Sequence, residues 1–279
     1  GLSWDDLVFE RKLKARNAAM IRPHINFTAD PNKKLEMQTI FQSLGAVNEF
    51  MDLEQLEIVD GTIDLKLRKE LRVQLENANL SVKSQSLLSS TQLSGIRNSL
   101  NGLDFRHGKI MTGSTTVELN NIVYNGDNGR FSAGSVWLND PVKNRNIFLE
   151  EVAVAKLVVN EANGSIQAEG IKWNKADIKF FPVDTGKTGS RPGPAVDLKN
   201  IEGHHTIFSG MIKNKTISSK LDYISLDELK KTEADKMILK GLYAAGNNLK
   251  INADNMQLSV SDYNFADNLS FCYHIMCFG

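Results

Sequence analysis

The chain has 279 residues, 41% of them hydrophobic and 24% charged, with 33 basic and 33 acidic side chains and no formal net charge. That length admits one large β domain or two ordinary domains with a substantial core, and the composition excludes a disordered chain and a membrane bundle. The balanced charge argues against general nucleic-acid binding, which needs a surplus of cations to displace counterions.

The chain begins at Gly1, which reads as an excised or processed fragment from which a signal or anchor has been removed. No run approaches the roughly 18 apolar residues that span a bilayer. The first regular pattern, 33–51, places Met37, Ile40, Phe41, Leu44, Val47 and Met51 at steps of three and four. That spacing predicts a helix, opened by Asp30-Pro31. From there the dominant period is two. "LEQLEIVDGTIDLKL" (53–67) predicts a hairpin turning at Asp60-Gly61, with Ile58 facing Ile63 and Leu56 facing Leu65.

Further alternating stretches follow at 71–82, 115–140 and 147–180, punctuated by Asn, Asp and Gly, while 86–102 is ambiguous. Their rhythm predicts antiparallel pairing, because parallel pairs need crossover segments. "PVDTGKTGSRPGPA" (182–195) predicts an exposed loop or linker between a region 1–181 and a region 196–279. In the second region Ser225 and Glu228 form a capping box, with Leu226 and Leu229 as a narrow stripe, and predict a short helix near 225–237. A last strand pair is expected over 247–265.

Chemistry is hard to find. Gly186-Lys187-Thr188 lacks the glycine five positions earlier that a phosphate loop needs, since residue 181 is Phe, and the prolines after it block a helix. His204 and His205 are adjacent in strand-like sequence, which predicts rings on opposite faces. No metal-ligand spacing is present, and no Gly-x-Ser-x-Gly elbow. No catalytic, cofactor-binding or metal residues are assigned, and the chain reads as a non-enzyme. Cys272 and Cys277, the two cysteines, fit a small disulfide loop or two free thiols. Trp137 and Trp173 lie on strands and serve either as core or as the lining of a groove.

The segment "LVFERKLKARNAAMIRPHINFTAD", the helical stripe after it and "LEQLEIVDGTIDLKL" together resemble the AsmA-like family of bacterial envelope proteins, which includes TamB. The resemblance rests on Ile21-Arg22-Pro23-His24-Ile25 and on Leu56, Ile58, Gly61, Ile63 and Leu65, and it covers about residues 7–67. It implies a periplasmic location in a Gram-negative envelope, an inner-membrane anchor in the full-length protein, and a long curved β-sheet with a greasy groove. It also implies a role in outer-membrane homeostasis and lipid transport, with envelope proteins as possible partners.

The expected fold is therefore mainly β: an elongated or curled antiparallel sheet with an apolar concave face and one or two short packed helices. Residues expected to line the groove are Leu56, Ile58, Ile63, Leu65, Val136, Leu138, Val154, Ile171 and Trp173. The expected ligand is a lipid acyl chain, with no cofactor. The rival readings are a β-rich surface module that binds a protein or glycan, and an enzyme whose carboxylates converge from distant strands.

Overall fold

The computed structural model describes residues 13–28, 51–68, 71–83, 99–160, 165–181, 195–212, 215–232, 236–253, 256–267 and 271–274. These are almost entirely strand. β1 (Leu13–Ile21), β2 (His24–Thr28), β3 (Met51–Arg68), β4 (Leu71–Lys83) and β5 (Leu100–Thr112) belong to one compact unit. β6 (Thr115–Asn125) begins in the second unit and ends in the first. The second unit continues with β7 (Arg130–Asp140), β8 (Arg145–Val159), β9 (Ile166–Trp173), β10 (Lys175–Phe180) and β11 (Val196–Ile212). It ends with β12 (Lys215–Lys231), β13 (Lys236–Lys240), β14 (Leu242–Ala253), β15 (Met256–Asp267) and β16 (Phe271–His274). The division falls at β6; residues 182–194, the expected boundary, lie outside the described residues.

In the first unit β3 pairs antiparallel with β4, and β4 with β5, while β1 and β2 both run parallel to β3. In the second, β8 pairs antiparallel with β7, β9 and β10. Both β9 and β10 lie parallel to β11. The antiparallel pairs β11–β12, β12–β14 and β14–β15 complete it, with β13 between β12 and β16. Pairing is thus mixed rather than all antiparallel. The connections before β3 and before β11 are long enough to return the chain to the same end, which removes the objection to parallel neighbours.

The hairpin expected at Asp60-Gly61 does not form. β3 runs straight through the pair as one 18-residue strand. Asp60 takes a left-handed conformation, φ +55, and the pairing with β4 shifts register between Ile58 and Gly61. One residue in that conformation bulges the strand and swaps the phase of its alternation. Leu56 and Ile58 lie on one face before the bulge; Gly61, Ile63 and Leu65 lie on the same face after it. The apolar set stays together, and no turn is needed.

The device recurs along the chain. Asn77 in β4, Asn121 in β6, Glu151 in β8, Gly170 in β9, Asn200 and His205 in β11 and Asn248 in β14 all have positive φ inside or between paired stretches. Asn and Asp tolerate this region better than other side chains, because their short polar groups bond the local backbone. Neighbouring strands kink at matching heights. Gly61 faces Ala78, one residue past Asp60 and Asn77. Gly170 stands one residue before the Ile171–Ile201 pair, beside Asn200. The gap between β9 and β10 is another such kink, for both strands keep one register against β11.

The helix expected near 225–237 is also absent: β12 extends to Lys231 and β13 starts at Lys236. Ser225 and Glu228 pair with Glu202 and Lys199 across β11 instead of capping a helix. Leu226 is 7% exposed opposite Ile201, so its burial is supplied by a strand neighbour. The helix expected at 33–51 falls outside the described residues up to Met51, which opens β3.

Candidate functional site

Inward-facing residues of the first unit fall into cross-strand rows. Phe27, Leu65, Val73 and Ile110 form one; Ile25, Ile63, Leu75 and Gly108 form the next. Beyond the kink, Leu56 faces Val82, and Ile58 faces Leu80, which faces Leu103. In the second unit Phe131, Val154, Ile171, Ile201 and Leu226 run side by side over β7, β8, β9, β11 and β12. Val136, Leu149, Ala176, Thr206 and Leu221 form another row, and Leu138, Ile147, Ile178, Phe208 and Ser219 a third.

Each unit therefore carries a continuous apolar face. Of the nine residues expected to line it, Leu56, Ile58, Ile63 and Leu65 share the face of the first unit. Val154 and Ile171 are direct neighbours in the second, where Val136 and Leu138 occupy successive rows on β7. Only Ile58 and Ile63 are buried, at 6% and 8% exposure; the other seven are half-buried. In a sheet sealed by a second layer, central positions such as Ile171 and Leu138 lose nearly all exposure.

Trp173 has a specific seat. It faces Gly203, where a Cβ would overlap the indole, and its Nε1–H donates to Thr206 Oγ1 at 2.9 Å. Thr206 is 2% exposed, so the ring is locked at one edge while part of its face stays open. At the margin, Ser219 Oγ and the Tyr263 hydroxyl lie 2.5 Å apart.

The opposite faces carry most of the charged side chains, though Val59, Val123 and Ile207 stand exposed on them and Trp137 pairs there with Phe148. Lys172–Glu202 at 2.8 Å, Lys175–Glu150 at 3.0 Å and the Lys240–Glu228 pair lie there. Such exposed pairs add little stability. Asp64 accepts two bonds from Arg72, at 2.9 and 2.5 Å, and this guanidinium holds its carboxyl below the usual range. A shallow depression of about 320 Å³ opens over Gly102, rimmed by Glu57, Asn79, Ser81 and Asp104. His204 and His205 both point to this side of the second unit, contrary to the expectation of opposite faces. The kink at His205, φ +42, leaves Gly203 and Thr206 buried and both rings exposed, with centroids 6.3 Å apart. His204 packs on Tyr223, and Tyr223 on Tyr243, in tilted contacts of 5.1 and 5.8 Å.

Asp140 is the most buried carboxylate among the described residues. Burial pushes its carboxyl up, but bonds from Ser114 Oγ, the Lys143 N–H and Thr115 Oγ1 outweigh that and hold it below the usual range. These partners pin two turns together, which is a structural role. Among the described residues no three His, Cys, Asp or Glu side chains are placed to hold a metal ion, and no helix is long and apolar enough to cross a membrane.

Of Phe131's row partners, the sequence missed Ile201 and put Leu226 on a helical stripe instead of this strand face. Ile201 sits in a stretch without clean alternation, because the kinks at Asn200 and His205 change its phase twice. The arrangement is that of a mainly-β protein with an incompletely covered apolar sheet face in each unit. Comparison with protein families, with characterised proteins and with solved structures finds no match.

Proposed function

We propose that the chain is a non-enzymatic lipid-handling protein of the bacterial envelope, related to the AsmA-like proteins, which lays acyl chains on the apolar faces of its sheets. The observation that supports this most directly is the incomplete burial of central apolar residues, Val136, Leu138, Val154 and Ile171 among them. Such area in water is unfavourable by about 25 cal/mol per Å², and a flexible hydrocarbon covers it without any polar code. The resemblance over residues 7–67 supplies the location, the periplasm, and the class of ligand.

The test is native mass spectrometry with lipid extraction of protein purified from a Gram-negative host. Co-purifying phospholipid is expected. Protein that is repeatedly free of lipid, and that fails to take up a fluorescent fatty acid, would overturn the proposal.

A further inference from the structure

β15 is the outer strand of the second unit: among the described residues it pairs only with β14. Among the described residues no strand pairs with its other edge, which runs over 12 residues, MQLSVSDYNFAD. Edge strands are normally guarded by Lys, by Pro or by a break. β15 has neither Lys nor Pro and keeps one register against β14 throughout, with Asp262 and Asp267 as its charged residues, and it exposes Leu258 and Phe265 by 44% and 48%. The β1–β2 edge of the first unit is a contrast: it breaks at Arg22-Pro23 and carries Arg16.

The pattern of β15 identifies what fits the edge. Against β14, Leu258 faces Ile251, Val260 faces Leu249, Tyr263 faces Gly246 and Phe265 faces Ala244. The apolar phase therefore changes between Ser261 and Asp262, beside the kink at Asn248. A strand whose phase reverses at its midpoint is palindromic. Turned end for end, Leu258 meets Phe265, Val260 meets Tyr263, Ser259 meets Asn264 and Ser261 meets Asp262. Leu258, Val260, Tyr263 and Phe265 stay on one face, Met256 falls opposite Asp267, and the two kinks align. A slip of one residue throws them onto opposite faces. The acidic Asp262 stands opposite a serine rather than its own copy, so no like charges are directly opposed.

We propose that this edge binds β15 of a second copy of the chain, antiparallel about a twofold axis at Ser261–Asp262. The pairing makes about ten main-chain hydrogen bonds and carries the apolar face of the second unit on into its partner.

Cysteine cross-linking in a Cys272→Ser, Cys277→Ser background tests the register. Leu258→Cys protein mixed with Phe265→Cys protein is expected to give a covalent dimer with a short bismaleimide. Either variant alone is expected to give none, since its thiols lie about 23 Å apart along the strands. Sedimentation velocity at tens of micromolar is expected to show a dimer, and Leu258→Lys with Phe265→Lys to give a monomer whose far-ultraviolet circular dichroism is unchanged. A monomeric unaltered chain, a dimer that survives the two lysines, or cross-linking of either single variant alone overturns the proposal. None of these readouts depends on bound lipid.

Discussion

Asn77 holds φ +51 within β4, and its Nδ2–H donates to Asp60 Oδ1 at 2.6 Å. Asp60, itself left-handed, donates its N–H to Asn79 Oδ1 at 2.9 Å, and its carboxylate meets Arg22 at 3.3 Å. Asn79 passes the chain of bonds on to Asp104 at 2.7 Å. The kink is thus tied across four segments by short polar side chains. Replacing Asn77 by Val puts a branched Cβ into a region that costs L-residues about 1–2 kcal/mol and removes a bond as well. Asn77→Val is expected to lower stability by about 2 kcal/mol in urea unfolding, while Asn77→Gly changes it by less than about 1. Equal losses would show that the conformation is not what the side chain supplies. Asp140 carries a pH dependence of definite sign. Its folded carboxyl titrates below the ordinary value, so its contribution is complete above about pH 4 and is lost as the pH falls through the folded value. Asp140→Asn is expected to cost about 1–2 kcal/mol at neutral pH, and the gap should narrow as the pH falls below the ordinary carboxylate range. A gap that stays constant with pH would remove the carboxylate from the account.

At the scale of an element, β12 shows how a local signal is overruled. Ser225 and Glu228 have helix-capping spacing, yet Leu226 is buried between strands opposite Ile201. Leu226→Ala should therefore cost about 2–4 kcal/mol by leaving a cavity. Ser225→Ala should stay within about 0.5 kcal/mol, because no helix end loses its cap. A larger loss for Ser225 in thermal or urea unfolding would restore the helical reading. β3 shows the complementary error. The alternation of Leu56, Ile58, Ile63 and Leu65 was legible, and so was their common face. The change of phase at Asp60-Gly61 was legible too, but a turn and a bulge leave the same trace in one strand. What separates them is the partner: β4 makes the same change at Asn77, and pairing over such distances is invisible to local periodicity. The parallel placement of β1, β2, β9 and β10 escaped for the same reason.

For the whole molecule, zero net charge and faces built mainly of apolar rows, with Arg145 stacked on Phe180 at the end of one of them, make apolar contact the main source of any lipid affinity. A methylene removed wholly from water contributes about 0.8 kcal/mol. On a face that stays half-open, only one side of the chain is desolvated, so about 0.4 kcal/mol per methylene is expected, close to a twofold change in Kd. Saturated fatty acids of increasing length should then bind with Kd falling about twofold per carbon, a slope shallower than that of an enclosed cavity. Added salt should leave the slope unchanged, because no ion pair is broken. Ile171→Asp places a charge beside Val154 and Ile201 and should weaken binding of every chain length, whereas Lys172→Gln, one residue along on the polar face, should not. Fluorescence displacement with a parinaric acid probe measures all three variables. A Kd independent of chain length, or equal losses for the Ile171 and Lys172 variants, would move the ligand off the apolar face. The exposed rows would then have to be covered by protein, as in the rival reading of an interaction module.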